Sequence, residues 1–270
     1  SEIISGTTEI LEFYQNHGIN IMSGGGETAD VGDLVRTIIV DSCLTARIRK
    51  DQIIDNANIK AGDIIIGLSS SGLSSFDNEY NSGIGSNGLT SARHDVLSNY
   101  LKKKYPESFN NEVQDDLTYC GSKKLNDKLT GIEIDIGKML LSPTRSYSPI
   151  LKRIFDKVGR KSIHGIIHCT GGGQTKILHF IENLHIVKNN LFEIPPIFNL
   201  IQKESDTDPK EMYKVFNMGH RMEMYIDPKI KNDIINISKS LGVEAKVIGE
   251  VFESNKKKLT IQSELGNFEY

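Results

Sequence analysis

Three glycine-rich turns contain the residue types that could bind a phosphate group. The first, at 23–30, has three consecutive glycines followed at once by Glu27 and Thr28. Glycines let the backbone approach an anion closely and permit positive φ angles, and a carboxylate beside them suits a Mg²⁺ ion that bridges phosphate oxygens. A tight turn with a solvated acid would contain the same residues, so the spacing leaves both interpretations open.

The second turn belongs to a serine- and glycine-rich loop at 69–88 and ends in the run GIGSNG at 83–88, before a predicted helix. Backbone N–H groups at a helix N-terminus, with the hydroxyl of Ser86 and the amide of Asn87 beside them, are suited to a phosphate. A flexible loop in which Asn87 caps the helix fits the same residues.

The third turn, at 170–173, follows a predicted strand that carries His164 and His168. It is not a Walker motif, because no Gly-Lys-Ser/Thr follows, and its third glycine is misplaced for a Rossmann fingerprint. Two histidines at this spacing form a metal pair on a helix, but the segment has strand character, so we favour structural or substrate-orienting roles. Together the turns indicate an enzyme or a binding protein for phosphorylated ligands.

Strands and helices in mixed order must position these turns. The alternation lacks the strict βαβ rhythm of a parallel sheet and therefore favours α+β layers. We predict strands at 19–22, 35–40, 64–68, 163–169, 222–226, 245–251 and 258–262, and helices at 9–17, 89–103, 146–158, 174–183 and 229–241, with a further short helix after the capping box at 208–211.

The composition excludes several classes of protein. The 270 residues are 38% hydrophobic and 25% charged with a formal charge of −3, which argues against a partner such as nucleic acid, because phosphate backbones require a basic surface. The longest apolar runs are too short to span a membrane. The three cysteines are far apart and form no CxxC pair, so we expect no disulfide framework and a reducing compartment, the cytoplasm.

The order of the motifs resembles the phosphoribosylformylglycinamidine cyclo-ligase family, the aminoimidazole ribonucleotide synthetases of purine biosynthesis. The segments are GGGETAD, IIDNANIKAGDIIIGLSSSG, SNGLTSAR, LLSPTRSY, HGIIHCTGGG, PPIFNLIQ and FNMG. The resemblance covers 24–249 and is specific in PPIFNLIQ and FNMG, whereas GGGET recurs across a wider ATP-binding superfamily.

The resemblance implies a two-domain α+β fold of the purine-synthetase type that forms a homodimer. Residues 1–62 would be the C-terminal part of an ATP-binding and dimerisation domain that is incomplete in this chain, and 63–270 would be a C-terminal α/β sandwich domain. The implied reaction is the ATP- and Mg²⁺-dependent cyclisation of formylglycinamidine ribonucleotide to aminoimidazole ribonucleotide. Such ring closure depends on charge neutralisation and positioning more than on a protein nucleophile.

The resemblance also implies which residues contact the ligands. ATP would be held by the glycines and polar residues of the first turn, and Glu27 would also bind Mg²⁺. The ATP-binding residues would be Gly25, Gly26, Glu27 and Thr28. The ribonucleotide substrate would contact Ser86, Asn87, Gly88, Thr170, Gly171, Gly172 and Gly173.

The chain departs from the family pattern at two positions near these turns. Gly85 stands where the family usually has a histidine directly before Ser-Asn-Gly, after a longer loop at 73–84, so no proton-transfer residue is identified. His220 and Arg221 follow FNMG where the family usually has small apolar residues. A related small-molecule kinase, or a non-catalytic dimer partner or ligand sensor, would also account for the motifs.

Overall fold

The computed structural model of the protein describes residues 2–35 and 38–270. Its strands are β1 (Ile64–Ser69), β2 (Ile163–His168), β3 (Leu184–Lys188), β4 (His220–Ile226), β5 (Ala245–Glu253), β6 (Lys258–Ser263) and β7 (Gly266–Glu269). Its α-helices are α1 (Glu2–Asn16), α2 (Leu89–Val96), α3 (Tyr100–Lys104), α4 (Ile136–Leu141), α5 (Ser148–Val158), α6 (Pro196–Ser205), α7 (Pro209–Val215) and α8 (Lys231–Ser240).

Within the described residues the strands form one seven-stranded sheet of order β2-β4-β1-β5-β3-β6-β7. The strand β1 lies between β4 and β5 and pairs antiparallel with both, whereas β3 and β6 pair in parallel. Every residue of β1 is buried, as expected for an apolar run covered on both faces. At the edge, β2 alternates between buried and half-buried residues, so its outer positions can serve a site.

Helices cover both faces of this sheet. On one face α5 and α8 pack against Ile66 of β1 and Met224 of β4. On the other face α2, α4, α6 and α7 pack against Ile65 and Tyr225 of the same two strands. Because successive residues of a strand point to opposite faces, neighbouring isoleucines contribute to separate cores. The predicted α+β class and the C-terminal α/β sandwich are thereby confirmed.

Tertiary hydrogen bonds change two predicted helices. The helix predicted at 89–103 is divided into α2 and α3, because the Ser98 N–H donates to the carbonyl of Lys123 at 2.8 Å instead of to a helical acceptor. The helix predicted at 174–183 is a 3₁₀ helix, Gly173–His179. The carbonyl of Gln174 accepts from Lys188 Nζ at 2.8 Å, which removes an acceptor that an α-helix would use. The elements α4, α6, β3 and β7 were absent from the sequence prediction.

The N-terminal part differs most from the sequence prediction. The helix predicted at 9–17 already begins at Glu2, and the ring of Phe13 packs against that of Phe76 at 5.6 Å. The strand predicted at 19–22 has no partner in the described chain and is not formed. Of the strand predicted at 35–40, Arg36 and Thr37 lie outside the described residues, and the remainder has no strand structure.

The exposure of residues 38–40 gives the physical reason for the missing strand. Ile38, Ile39 and Val40 are 82%, 70% and 61% exposed, so their apolar side chains gain no burial that would stabilise an extended conformation. Within 2–35 and 38–270, none of the helices combines the length and the apolar character that a membrane crossing requires.

Candidate functional site

The 83–88 and 170–173 turns both contact the chain at the C-terminal end of α7. A methyl group added at Gly88 would lie 2.6 Å from the ring of Phe216, and one added at Gly173 would lie 2.6 Å from the carbonyl oxygen of the same residue. Both glycines have positive φ angles, +70° and +48°, which favour glycine. The structure therefore brings together two of the three predicted turns, and it explains the glycine at each contact point.

Side-chain amides tie the two turns to the segment after α7. The Asn217 amide donates to the carbonyl of Gly83 at 2.8 Å, and the Gln174 amide donates to the carbonyl of Asn217. The Asn87 amide donates to the carbonyl of Val215, so this side chain joins the turn to α7 and does not cap α2. Buried amides with satisfied hydrogen bonds fix the relative position of the segments they connect.

The 83–88 turn leaves backbone donors available to a ligand. Ser86 is exposed, and within the described chain the N–H groups of Ser86 and Asn87 donate to no acceptor. Helix α2 begins directly after Gly88, so these N–H groups precede a helix N-terminus, where the aligned peptide dipoles favour an anion. This arrangement suits the phosphate contact predicted for the turn.

The 23–30 turn does not join the other two turns at the C-terminal end of α7. Its residues are exposed, and no described atom lies within 4 Å of a methyl group added at Gly24, Gly25 or Gly26. The Gly25 N–H donates to the hydroxyl of Ser23 at 3.3 Å, a local turn contact. The roles of Gly25, Gly26, Glu27 and Thr28 in binding ATP and Mg²⁺ stay predictions.

The two departures from the family pattern contact each other. A methyl group added at Gly85 would lie 1.9 Å from Nη1 of Arg221, so the guanidinium occupies the space that any side chain at this position would need. Arg221 is 1% exposed and donates to the carbonyls of Gly83 at 2.9 Å and Ile84 at 2.7 Å. The arginine of β4 therefore replaces a side chain at position 85, and it holds the 83–88 turn through its backbone.

The loop at 73–84 anchors the same turn from the other side. The carboxylate of Asp77 pairs with Arg145 at 2.9 Å, and the Asn81 amide donates to the carbonyl of Pro143 at 2.9 Å. Arg145 is 4% exposed, so this pair lies at the base of the loop and not in solvent. The long loop is thus an ordered support that joins the 83–88 turn to the chain before α5.

A buried polar cluster lies on the sheet beneath the two turns. Lys188 Nζ contacts Glu223 Oε1, which also accepts from His220 Nε2 at 2.9 Å, and the Tyr225 hydroxyl donates to Glu223 Oε2 at 2.8 Å. The ammonium of Lys188 also donates to the Gln174 side chain at 3.0 Å. We call these five residues the buried polar cluster; Gln174 connects it to the 170–173 turn.

Charges within the cluster are balanced. Burial opposes ionisation of Glu223, but Lys188 and His220 outweigh it and lower the pKa of this carboxyl to about 2. Burial lowers the pKa of His220 despite the neighbouring Glu223, which favours the neutral imidazole. Because a carboxylate only accepts, Nε2 of His220 carries the proton, and its buried Nδ1 is an acceptor without a partner in the described chain.

Cys169, His220 and Glu223 place one possible metal ligand each within 4.8 Å of one another. The ammonium of Lys188 already contacts the carboxylate oxygen of Glu223, so the charge that would attract a cation is neutralised. Burial, with the charge of Glu223, also raises the pKa of the Cys169 thiol well above its usual value, which disfavours the thiolate that binds metals. These three residues therefore belong to the core and not to a metal site.

The buried polar cluster was not predicted from the sequence. Glu223 stands between Met222 and Met224 in a strand, and Lys188 ends the run LHIVK. A charged residue inside an apolar strand is the pattern that could have indicated it, since charged side chains are rarely buried without a partner. The partner itself was not identifiable, because it lies on a strand that is not adjacent in the sheet.

The low pKa of Glu223 predicts a dependence of stability on pH. Because its pKa of about 2 in the folded protein is below the ordinary value of 4.5, ionised Glu223 stabilises the fold above that ordinary value. This stabilisation, on the order of 3 kcal/mol, is lost as the pH falls towards the folded-state pKa. Urea unfolding of the protein and of Glu223→Gln across this pH range should show a steeper loss in the unsubstituted protein. Parallel pH profiles would contradict the assignment.

Residues 60–262 of the chain match the family described as AIR synthase related protein, C-terminal domain. The phosphoribosylformylglycinamidine cyclo-ligase of Methanocaldococcus jannaschii is 32% identical over 236 residues, which are 87% of this chain and 57% of the relative. That of Methanococcus vannielii is 33% identical over 253 residues, or 93% of this chain and 62% of the relative. This chain therefore spans about three fifths of the length of these relatives.

Among solved structures, the T. maritima PurL complexed with FGAR aligns with a TM-score of 0.43 and 15% identity over 82% of this chain and 29% of that one. The family match covers most of the described sheet and both turns that meet at α7, and the cyclo-ligases agree with the resemblance found in the motifs. The chain belongs to the family of AIR synthase related proteins and contains their C-terminal domain.

Proposed function

We propose that the protein catalyses the ATP-dependent cyclisation of formylglycinamidine ribonucleotide to aminoimidazole ribonucleotide. The observation that carries this proposal is that the 83–88 and 170–173 turns both pack against Phe216. The relatives of this chain carry the name of that enzyme.

The proposed residues act by binding and positioning. The reaction transfers a phosphoryl group from ATP to the formyl oxygen of the substrate, and a nitrogen of the same molecule then closes the ring and expels phosphate. The N–H groups of Ser86 and Asn87 would hold the substrate beside Thr170, Gly171, Gly172 and Gly173. Fixing both reacting groups of one molecule in this way supplies most of what an intramolecular closure requires.

We propose that Gly25, Gly26, Glu27 and Thr28 form part of the site for Mg²⁺ and ATP. The segment is exposed and offers one carboxylate next to glycine amides, a donor set that fits Mg²⁺ when phosphate oxygens complete the coordination. When bound, the ion would neutralise charge on the transferred phosphoryl group.

Exposed apolar residues of the N-terminal part support a homodimer. Leu34, Ile38 and Leu44 are 85%, 82% and 73% exposed, and large apolar side chains left exposed at a surface are candidates for an interface. We accordingly assign 1–62 to the ATP-binding and dimerisation domain and 63–270 to the C-terminal domain. Two of the three free cysteines are exposed, which fits a reducing cytoplasm.

Incubation of the full-length protein with formylglycinamidine ribonucleotide, ATP and Mg²⁺ tests the proposal. We expect aminoimidazole ribonucleotide, ADP and phosphate in equal amounts. Substrate-dependent ADP without the imidazole product would instead identify a related small-molecule kinase. Neither product, from protein whose folding is verified by its thermal transition, would contradict an enzymatic function.

The role of Glu27 gives a separate prediction. Glu27→Ala removes the carboxylate proposed for Mg²⁺, so the Mg²⁺ concentration needed for half-maximal ATP binding should rise about tenfold or more, as loss of one charged contact implies. Glu12→Ala is the control, because Glu12 is exposed on α1. Equal Mg²⁺ requirements for the two variants would remove Glu27 from the metal site.

A further inference from the structure

Two cations near the 170–173 turn, Lys176 and Arg221, have no carboxylate partner among the described residues. Buried cations elsewhere are neutralised: Arg145 pairs with Asp77, and Lys188 pairs with Glu223. Lys176 and Arg221, in contrast, contact only uncharged groups in the described part of the chain. Lys176 Nζ donates to the Thr170 hydroxyl at 3.0 Å. Arg221 donates to the Thr144 hydroxyl at 3.2 Å and to two backbone carbonyls.

Both residues lie close to the end of β2 in the described structure. The Cys169 N–H donates to the backbone carbonyl of Arg221 at 2.6 Å, and Lys176 reaches back across the turn to Thr170. Arg221 is 1% exposed, and a buried positive charge without a counter-ion is costly, whereas Lys176 is half-buried. An anion bound at this turn would supply negative charge that neither cation receives from a described carboxylate.

The 170–173 turn is open and has N–H donors that no described residue uses. No described atom lies within 4 Å of a methyl group added at Gly171, so the space above the turn is unfilled. Among the described residues, the N–H groups of Gly171 and Gly172 donate to no acceptor. Backbone N–H groups beside a lysine ammonium and a hydroxyl make a donor set that fits the oxygens of a phosphate.

The pKa of His168 reflects the positive potential near the 170–173 turn. The imidazole is half-buried and faces the ring of Tyr147 with the centroids 6.3 Å apart. Burial, and then the charges of Arg221 and Lys176, lower the pKa of His168 to about 4. Both of these charges are positive, so a bound anion would oppose their effect on the pKa of His168.

We propose that Lys176 and Arg221, with the open 170–173 turn, form a phosphate-binding subsite at the carboxyl end of β2 whose ligand is a phosphate monoester. Lys176, the Thr170 hydroxyl and the N–H groups of Gly171 and Gly172 contact the phosphate oxygens. Arg221 is held by the 83–88 turn and contributes its charge from below. The assignment of the monoester as the 5′-phosphate of the ribonucleotide rests on the proposed function. The binding of phosphate itself does not depend on that function.

Titration with inorganic phosphate, followed by NMR of histidine labelled at Cε1, tests the subsite in the full chain. The signal of His168 is assigned with His168→Gln. We expect phosphate at constant ionic strength to shift this signal saturably and to raise the pKa of His168. In Lys176→Met the affinity should fall about tenfold or more, since one charged hydrogen bond is lost, and the pKa of His168 should be higher before phosphate is added.

Matched variants separate binding from general charge effects. Lys176→Arg retains the charge and should retain most of the affinity. Lys203→Met removes a lysine that is exposed on α6 and should bind phosphate as the unsubstituted protein does. Equal phosphate affinity in Lys176→Met and Lys203→Met, or a His168 signal that does not respond to phosphate, would overturn the proposal.

Two further probes distinguish the source of the phosphate group. Ribose 5-phosphate should shift the His168 signal in a Lys176-dependent manner, and ATP at the same concentration should not compete with it. Competition by ATP alone would assign the subsite to the nucleotide and overturn the monoester assignment. Phosphate binding without any formation of aminoimidazole ribonucleotide would leave the subsite intact and contradict only the proposed function.

Discussion

Lys188→Met is expected to lower the free energy of unfolding by about 3–5 kcal/mol, the range found when one partner of a buried ion pair is removed. Lys188 and Glu223 are both 0% exposed, and methionine fills the space of the lysine stem without its charge. The carboxylate of Glu223 would then lose its principal counter-ion, and the Gln174 carbonyl would lose a donor at 2.8 Å. Urea or thermal unfolding measures the change.

Two comparisons isolate the buried pair. Lys214→Met breaks the exposed ion pair with Glu211, whose side chains are 49% and 50% exposed, and should cost at most about 0.5 kcal/mol. Combining Lys188→Met with Glu223→Leu should destabilise less than Lys188→Met alone, because no uncompensated charge stays buried. A loss in Lys188→Met no larger than that in Lys214→Met would show that the carboxylate is not buried as described.

Gly85→Ala is expected to have the second large effect, through two separate causes. Gly85 has a φ of +57°, which costs an alanine about 1–2 kcal/mol. The added methyl group would also lie 1.9 Å from Nη1 of Arg221, and overpacking of this kind costs about 1–3 kcal/mol. Because Arg221 is buried and donates to the carbonyl of Ile84, it cannot move aside without removing the donor that this carbonyl has among the described residues.

The contact with Arg221 can be measured apart from the backbone cost. Gly131→Ala is the matched control, since Gly131 has a φ of +80° but no described atom within 4 Å of the added methyl group. The excess destabilisation of Gly85→Ala over Gly131→Ala should disappear when Gly85→Ala is made in an Arg221→Ala background. Additive effects of the two substitutions would contradict a direct contact between positions 85 and 221.

The contact between Gly85 and Arg221 shows that the histidine usual in the family would have no space at position 85. Gly85 and Arg221 are two departures from the family pattern that lie far apart in the sequence. In the structure, the guanidinium of Arg221 occupies the space beside Gly85. A titratable side chain at position 85 is replaced by a permanent cation from β4. Any proton transfer beside the 83–88 turn therefore requires a group other than residue 85. The permanent charge of Arg221 favours an anionic ligand at this turn.

Local patterns in the sequence were sufficient for several features. The buried strand β1 and the edge strand β2 follow from apolar runs bounded by turn residues, and α8 begins and ends within two residues of the predicted 229–241. The N-cap at Asp208 was also confirmed, with its carboxylate accepting from the Lys210 N–H at 2.8 Å. The Glu211 carboxylate pairs with Lys214 instead, so only this half of the predicted capping box is formed among the described residues. Each of these features depends on residues that are neighbours in the chain, so the necessary information is contiguous.

By itself the sequence determined the fold class, the family and the glycine turns, because periodicity, turn chemistry and motif order are properties of short segments. Only the tertiary structure decided which turns meet and which charges are neutralised. Lys188 reaches Glu223 across two intervening strands, and Arg221 bonds to a carbonyl 137 residues away. Sheet order and register set such contacts, and they arise when distant segments are packed together to bury apolar area.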